Sequence, residues 1–229
     1  MKTFKIGLYL SIGAITLVWC WSVTASIVFA EDIRSIAETF WGLFATAMTQ
    51  GVVTLAVIVG LLQLAGDRLD TIGFNTMQFW RRLGFGCVLG LGLFLLATFI
   101  VHPITSSVVP SGASDADLGR LLTNLWHLPL WLLLSIVVGG LSEELWRAFT
   151  LDRFERCFGW PGLLIAVGLG SAVFAVGHLY QGIDSVITTG VISLIYAGVY
   201  IARRSAVEIV TAHAARDITS IVVGYALFL

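Results

Sequence analysis

Residues 121–150 read LLTNLWHLPLWLLLSIVVGGLSEELWRAFT. No acid, lysine or arginine occurs between Leu121 and Ser142, and about 20 predominantly apolar residues are enough for a helix to cross the hydrocarbon core of a bilayer. Three ionisable side chains, Glu143, Glu144 and Arg147, follow, and the apolar pattern continues beyond them. The stretch predicts a membrane-spanning helix that carries charged groups inside the bilayer.

The composition of the whole chain agrees with this prediction. Of the 229 residues, 58% are hydrophobic and only 12% are charged, and the mean hydropathy is +0.93. An ordinary soluble domain carries about 25% charged residues, so a water-facing globular domain and a disordered chain are both excluded. The net charge of −1 gives no basic field for phosphate, and we therefore expect no nucleic-acid partner.

Seven apolar stretches approach the length of a membrane span. They predict an all-α polytopic bundle of about seven transmembrane helices, folded as one integral membrane domain over residues 1–229. Three spans within 1–120 would precede a core at about 121–229. The predicted spans are 6–30, 41–65, 83–101, 121–149, 160–180, 185–202 and 206–229.

The distribution of basic residues predicts the orientation of the bundle. With a cytoplasmic N-terminus, only Arg34 and Arg120 face the opposite side, and Arg216 lies within the last span, so the positive-inside rule is satisfied. A cleaved secretory signal is the alternative for the first span. Because its apolar run exceeds the usual 7–15 residues of a signal sequence, we expect a retained anchor in the cell membrane. The basic residues on the predicted cytoplasmic side are Lys2, Lys5, Arg68, Arg81, Arg82, Arg147, Arg153, Arg156, Arg203 and Arg204.

Ionisable side chains within the predicted spans form three clusters. Such groups are expensive in a bilayer and are usually paired, hydrated or functional. Residues four apart share a helix face, so each cluster is one-sided. We expect the three faces to meet around a water-filled chamber inside the membrane. The pairs are Glu143 with Arg147, Phe174 with His178, and His213 with Asp217, and Glu144 lies next to the first of them.

These residue types suit the hydrolysis of an acyl bond. A glutamate near a histidine can act as a general base towards water, and a second histidine can donate a hydrogen bond to an oxyanion. Asp217, one turn from His213, is expected to orient that ring. Arg147 is expected to balance the two adjacent acids, and either Glu143 or Glu144 could be the base.

Three motifs occur in order: an EE…R motif at 143–147, FAVGH at 174–178 and HAARD at 213–217. Together they resemble the CPBP family of CAAX proteases and bacteriocin-processing enzymes, which includes the Ras-converting type of CAAX prenyl endopeptidase. The resemblance implies a glutamic-type intramembrane endopeptidase that acts on a peptide or on a lipidated, for instance prenylated, protein. It implies catalytic roles for Glu143, Glu144, His178, His213 and Asp217, with Arg147 and Phe174 in support. The first motif is one residue shorter than the family's EExxxR.

Two alternatives remain at this point. Glu143, His178 and His213 could supply zinc ligands, although the HExxH motif is absent and we expect no cofactor. The chain could also lack enzyme activity, as an inactive membrane scaffold, an immunity protein or a proton-coupled transporter. The absence of a visible inverted repeat disfavours a transporter.

Overall fold

The computed structural model describes residues 2–109 and 121–228, and within these ranges the regular structure is entirely helical. The predicted all-α class is therefore confirmed. The helices before position 110 are α1 Lys2–Val28, α2 Ala30–Ala37, α3 Phe40–Leu64, α4 Phe79–Leu96 and α5 His102–Val108. Those after position 120 are α6 Leu128–Leu134, α7 Glu144–Val176, α8 Ile183–Arg203 and α9 Ala206–Phe228.

Two π-helical segments interrupt the bundle. Ala97–Val101 joins α4 to α5, and Ser135–Glu143 joins α6 to α7. Such segments have more residues per turn than an α-helix and frequently occur at functional sites. The second segment ends at Glu143, so α-helical spacing along α6 does not predict the direction of the Glu143 side chain.

Five helical stretches of the described chain are long and apolar enough to cross a membrane, where the sequence predicted about seven spans. The fourth and fifth predicted spans both lie largely in the stretch Leu125–Val176, on either side of a backbone break at Gly159. The last helix, α9, which carries Glu208, Arg216 and Asp217, is not among the five. The architecture is nevertheless that of a polytopic membrane bundle. The five stretches are Ile6–Val28, Phe40–Leu64, Phe79–Val108, Leu125–Val176 and Ile183–Arg203.

Helix α7 reverses direction at Gly159, so that it consists of two antiparallel legs. Gly159 has φ 64° and ψ −153°, a backbone conformation that side chains with a Cβ rarely adopt, and Pro161 lies just beyond it. The Arg147 guanidinium consequently lies 4.8 Å from the centre of the Phe174 ring. In a straight helix, at about 1.5 Å per residue, these two positions would be about 40 Å apart. The bend thus places the first two predicted motifs side by side.

Glycines allow α4 to approach the helix that carries the third motif. A Cβ atom on Gly90 would lie only 2.3 Å from the carbonyl oxygen of Ala212, and one on Gly86 would lie 2.6 Å from the Thr211 side chain. The other two glycines of α4, Gly84 and Gly92, have no such neighbour within 4 Å among the described residues. Close packing therefore accounts for two of the four glycines of this helix.

A group of ion pairs around one buried arginine lies near the Gly159 bend, and we name Asp67, Asp152, Arg153 and Arg156 the Arg153 cluster. Arg153 is completely buried and its Nη1 lies 2.6 Å from Asp67 Oδ2. Arg156 lies 3.2 Å from the same carboxylate and 2.9 Å from Asp152. The cluster joins the segment after α3 to the first leg of α7.

Candidate active site

Glu143 and Glu144 are adjacent in the chain but occupy different environments. Glu143 lines a cavity of about 380 Å³, and its side chain is 26% exposed. Glu144, the first residue of α7, is completely buried behind it. Only one of the two acids therefore faces space that water or a substrate could occupy.

Glu144 is held by the buried Arg147. Arg147 Nε donates to Glu144 Oε2 at 2.8 Å, and Nη2 donates to Oε1 at 3.2 Å. The third nitrogen, Nη1, donates to Ser193 Oγ at 2.5 Å on α8. The ion pair of Arg147 is therefore with Glu144, one helical turn away, rather than with Glu143, although Glu143 and Arg147 line the same cavity.

Glu144 also orients the third-motif histidine. His213 is buried, and its Nδ1 lies 2.8 Å from Glu144 Oε1. Its Nε2 lies 3.7 Å from Glu143 Oε2 and 3.5 Å from Asp217 Oδ2. The close contact with the ring is made by Glu144, whereas the sequence had assigned this orienting contact to Asp217. Asp217 instead lies near the opposite ring nitrogen.

The packing around His213 depends on two residues that sequence analysis did not select. The Tyr196 ring stacks on His213 with centroids 5.1 Å apart. Gly139 makes room on the other side, since a Cβ atom there would lie 2.6 Å from Asp217 Oδ2. Tyr196 and Ser193 could have been selected from the sequence, because each is a polar residue within an apolar span.

His178 lines the same cavity as Glu143, from the end of the second leg of α7. Its Nδ1 lies 2.9 Å from the carbonyl oxygen of Phe174. Because a carbonyl oxygen can only accept a hydrogen bond, Nδ1 carries the proton in this contact. The Nε2 atom of the neutral ring then has a free lone pair, which can accept a hydrogen bond from water.

The zinc alternative concerns Glu143, His178 and His213. Among the described residues, no three His, Cys, Asp or Glu side chains are arranged so that they could hold a metal ion. The Nδ1 atom of His213 faces Glu144, and the Nδ1 atom of His178 faces a backbone carbonyl. In each ring, Nε2 is therefore the nitrogen that remains for contact with water, substrate or another ligand.

The comparison with protein families agrees with the motifs. Residues 124–219 match the family model "Type II CAAX prenyl endopeptidase Rce1-like", and this stretch contains all five predicted catalytic residues. The predicted resemblance to the CAAX-protease family is confirmed for this part of the chain. No curated protein and no solved structure matches the chain. Together with the apolar helices, the match supports an integral membrane protein in which residues 124–219 are similar to CAAX prenyl endopeptidases.

Proposed function

We propose that the protein is an intramembrane endopeptidase in which Glu143 and His178 activate a water molecule to hydrolyse a peptide bond. The observation that carries the proposal is that Glu143, just before the first leg of α7, and His178, just after the second leg, line one cavity. A carboxylate and an imidazole that share access to one water are the groups that general-base hydrolysis requires.

Glu143, rather than Glu144, is the base in this proposal. Both oxygens of Glu144 are engaged by Arg147, and one also contacts His213. Glu143 is open to the cavity, so it can take a proton from water while His178 Nε2 orients that water. The oxygen then bonds to the scissile carbonyl carbon. As the carbon–nitrogen bond breaks, Glu143 returns the proton to the leaving amine.

In the same proposal, His213 stabilises the oxyanion that forms on the carbonyl oxygen. Its Nε2 points towards Glu143 and Asp217, at 3.7 and 3.5 Å. Nε2 can donate to an oxyanion when the ring carries both protons, and the surrounding carboxylates can balance the positive charge. Asp217 thus supports the charge of His213, while Glu144 fixes the orientation of the ring.

We propose a prenylated peptide as the substrate, following the printed name of the matched family. The lining of the cavity suits an apolar group. Val18 from α1 and Val53 and Val57 from α3 line the cavity and are also exposed on the surface of the bundle. A lipidated peptide could therefore approach the acid from the bilayer.

The test is cleavage of a farnesylated peptide by the purified protein in lipid vesicles. We expect Glu143→Gln and His178→Ala to lower kcat by about 10²- to 10⁴-fold, the usual contribution of general acid–base catalysis. Glu38→Gln makes the same chemical change at an exposed position outside the cavity lining and should leave the rate unchanged.

Three results would count against the proposal. Wild-type rates in both cavity variants would remove Glu143 and His178 from the reaction. No cleavage by the wild-type protein would favour an inactive scaffold. Activity that is lost with a chelator and restored by zinc would favour the zinc alternative.

A further inference from the structure

Two hydroxyl groups line the cavity below the proposed catalytic pair. Thr150 lies seven residues after Glu143 on the first leg of α7, and Ser171 lies seven residues before His178 on the second. Both hydroxyls line the same cavity as Glu143 and His178, so all four side chains face one space. The rise of a helix places both hydroxyls about 10 Å from the catalytic pair.

Both hydroxyls are buried without a hydrogen-bond partner. Thr150 is 3% exposed and Ser171 is 4% exposed, and neither side-chain oxygen has a partner within the described chain. Hydroxyls in helices commonly bond the carbonyl one turn earlier. Other residues of this protein follow that rule, namely Ser11 to Gly7, Thr16 to Ile12, Ser135 to Trp131 and Thr219 to Ala215.

Their position in the cavity separates this pair from other unpartnered hydroxyls. Thr188, Tyr196 and Ser205 also lack a partner among the described residues, but they do not line the cavity. A ligand that enters the cavity can reach Thr150 and Ser171. Since a buried hydroxyl without a partner is unfavourable, a group that accepts hydrogen bonds should be bound there.

We propose that Thr150 and Ser171 form a second subsite that binds a backbone carbonyl of the substrate, about three residues from the scissile bond. The subsite rests on the proposed endopeptidase function. An extended peptide advances about 3.3 Å per residue, so a distance of about 10 Å corresponds to three residues.

A neutral acceptor suits this subsite better than a carboxylate. Arg147, one turn from Thr150, could attract a carboxylate only with a free nitrogen. Its nitrogens already contact Glu144 and Ser193. A peptide carbonyl needs no counter-ion and can accept from both hydroxyls.

The test measures peptide binding in a Glu143→Gln background, which allows binding without cleavage. The probe is a fluorescent farnesylated peptide with four residues on each side of the scissile bond. We expect Thr150→Val together with Ser171→Ala to raise Kd about tenfold, since two neutral hydrogen bonds are lost. Thr188→Val removes an unpartnered hydroxyl outside the cavity and should leave Kd unchanged.

Shortened peptides distinguish a subsite from a general loss of structure. One probe keeps a single residue before the scissile bond and another keeps a single residue after it. The short probe that no longer reaches the subsite should have the same Kd for the Glu143→Gln protein with and without the two hydroxyl substitutions. The proposal would be overturned if these substitutions left the Kd of the full-length probe unchanged. It would also be overturned if they raised the Kd of both short probes as much as that of the full-length probe. Cleavage by the wild-type protein is measured first, because its absence would refute the proposed function itself.

Discussion

Glu143 and Glu144 show how adjacent identical residues acquire different roles. The buried Glu144 accepts from Arg147 and contacts His213, while Glu143 faces the cavity. The two acids are not interchangeable, because one completes a buried ion pair and the other is available for chemistry. Sequence analysis identified the pair but could not assign the roles, since the π-helix that ends at Glu143 changes the angular spacing.

This difference predicts opposite effects of the same substitution on stability. Glu144→Gln leaves the buried Arg147 charge without its carboxylate, and we expect a loss of about 3 kcal/mol in the free energy of unfolding. Glu143→Gln removes no arginine contact and should change that free energy by about 0.5 kcal/mol or less. Denaturant titration in mixed micelles measures both values. Equal losses in the two variants would contradict the assignment of Arg147 to Glu144.

Side-chain charge explains which site residues the sequence analysis found and which it missed. Glu143, His178 and His213 were found because ionisable groups are rare in membrane spans. Thr150, Ser171 and Tyr196 carry no charge, and each is compatible with ordinary helix packing. Only the bend of α7, which brings position 147 next to position 174, shows that the two hydroxyls share a cavity with the acid.

At the scale of elements, the site depends on how closely α9 approaches its neighbours. This helix carries His213 and Asp217, and it packs on one side against Gly86 and Gly90 of α4. On the other side it packs against Gly139 and Gly140 of the π-helical segment. The sequence shows four glycines in α4, but it could not show which of them make the contact, because the rotation of α4 depends on its partners.

A methyl group at one of these contacts should separate the helices. Gly90→Ala would place a Cβ 2.3 Å from the Ala212 carbonyl oxygen, and we expect a loss of about 1–3 kcal/mol in the free energy of unfolding. Peptide cleavage should fall as well, because α9 carries His213. Gly92→Ala, with no neighbour within 4 Å among the described residues, should be neutral or gain up to about 1 kcal/mol. If both variants melted alike, the tight approach of α4 to α9 would be refuted.

At the scale of the whole molecule, contacts tie the first part of the chain to the family-matched part. Helix α4 packs on α9, and Asp67, which follows α3, binds Arg153 on α7. The prediction of a single domain over residues 1–229, with three spans that precede a core, remains a prediction. These contacts support it, because unfolding of the first part would remove Asp67 from the buried Arg153 charge of α7.

Asp67→Asn tests this coupling. Among the described residues, the substitution leaves the completely buried Arg153 with one carboxylate contact, to Asp152 at 3.3 Å, and we expect a loss of about 3 kcal/mol in the free energy of unfolding. If the chain is one domain, tryptophan fluorescence and cleavage activity should be lost in the same transition, shifted by the same amount. Asp70→Asn, at an exposed position of the same segment, should shift neither. Two separate transitions would contradict a single domain, since the core could then keep its site after residues 1–120 had unfolded.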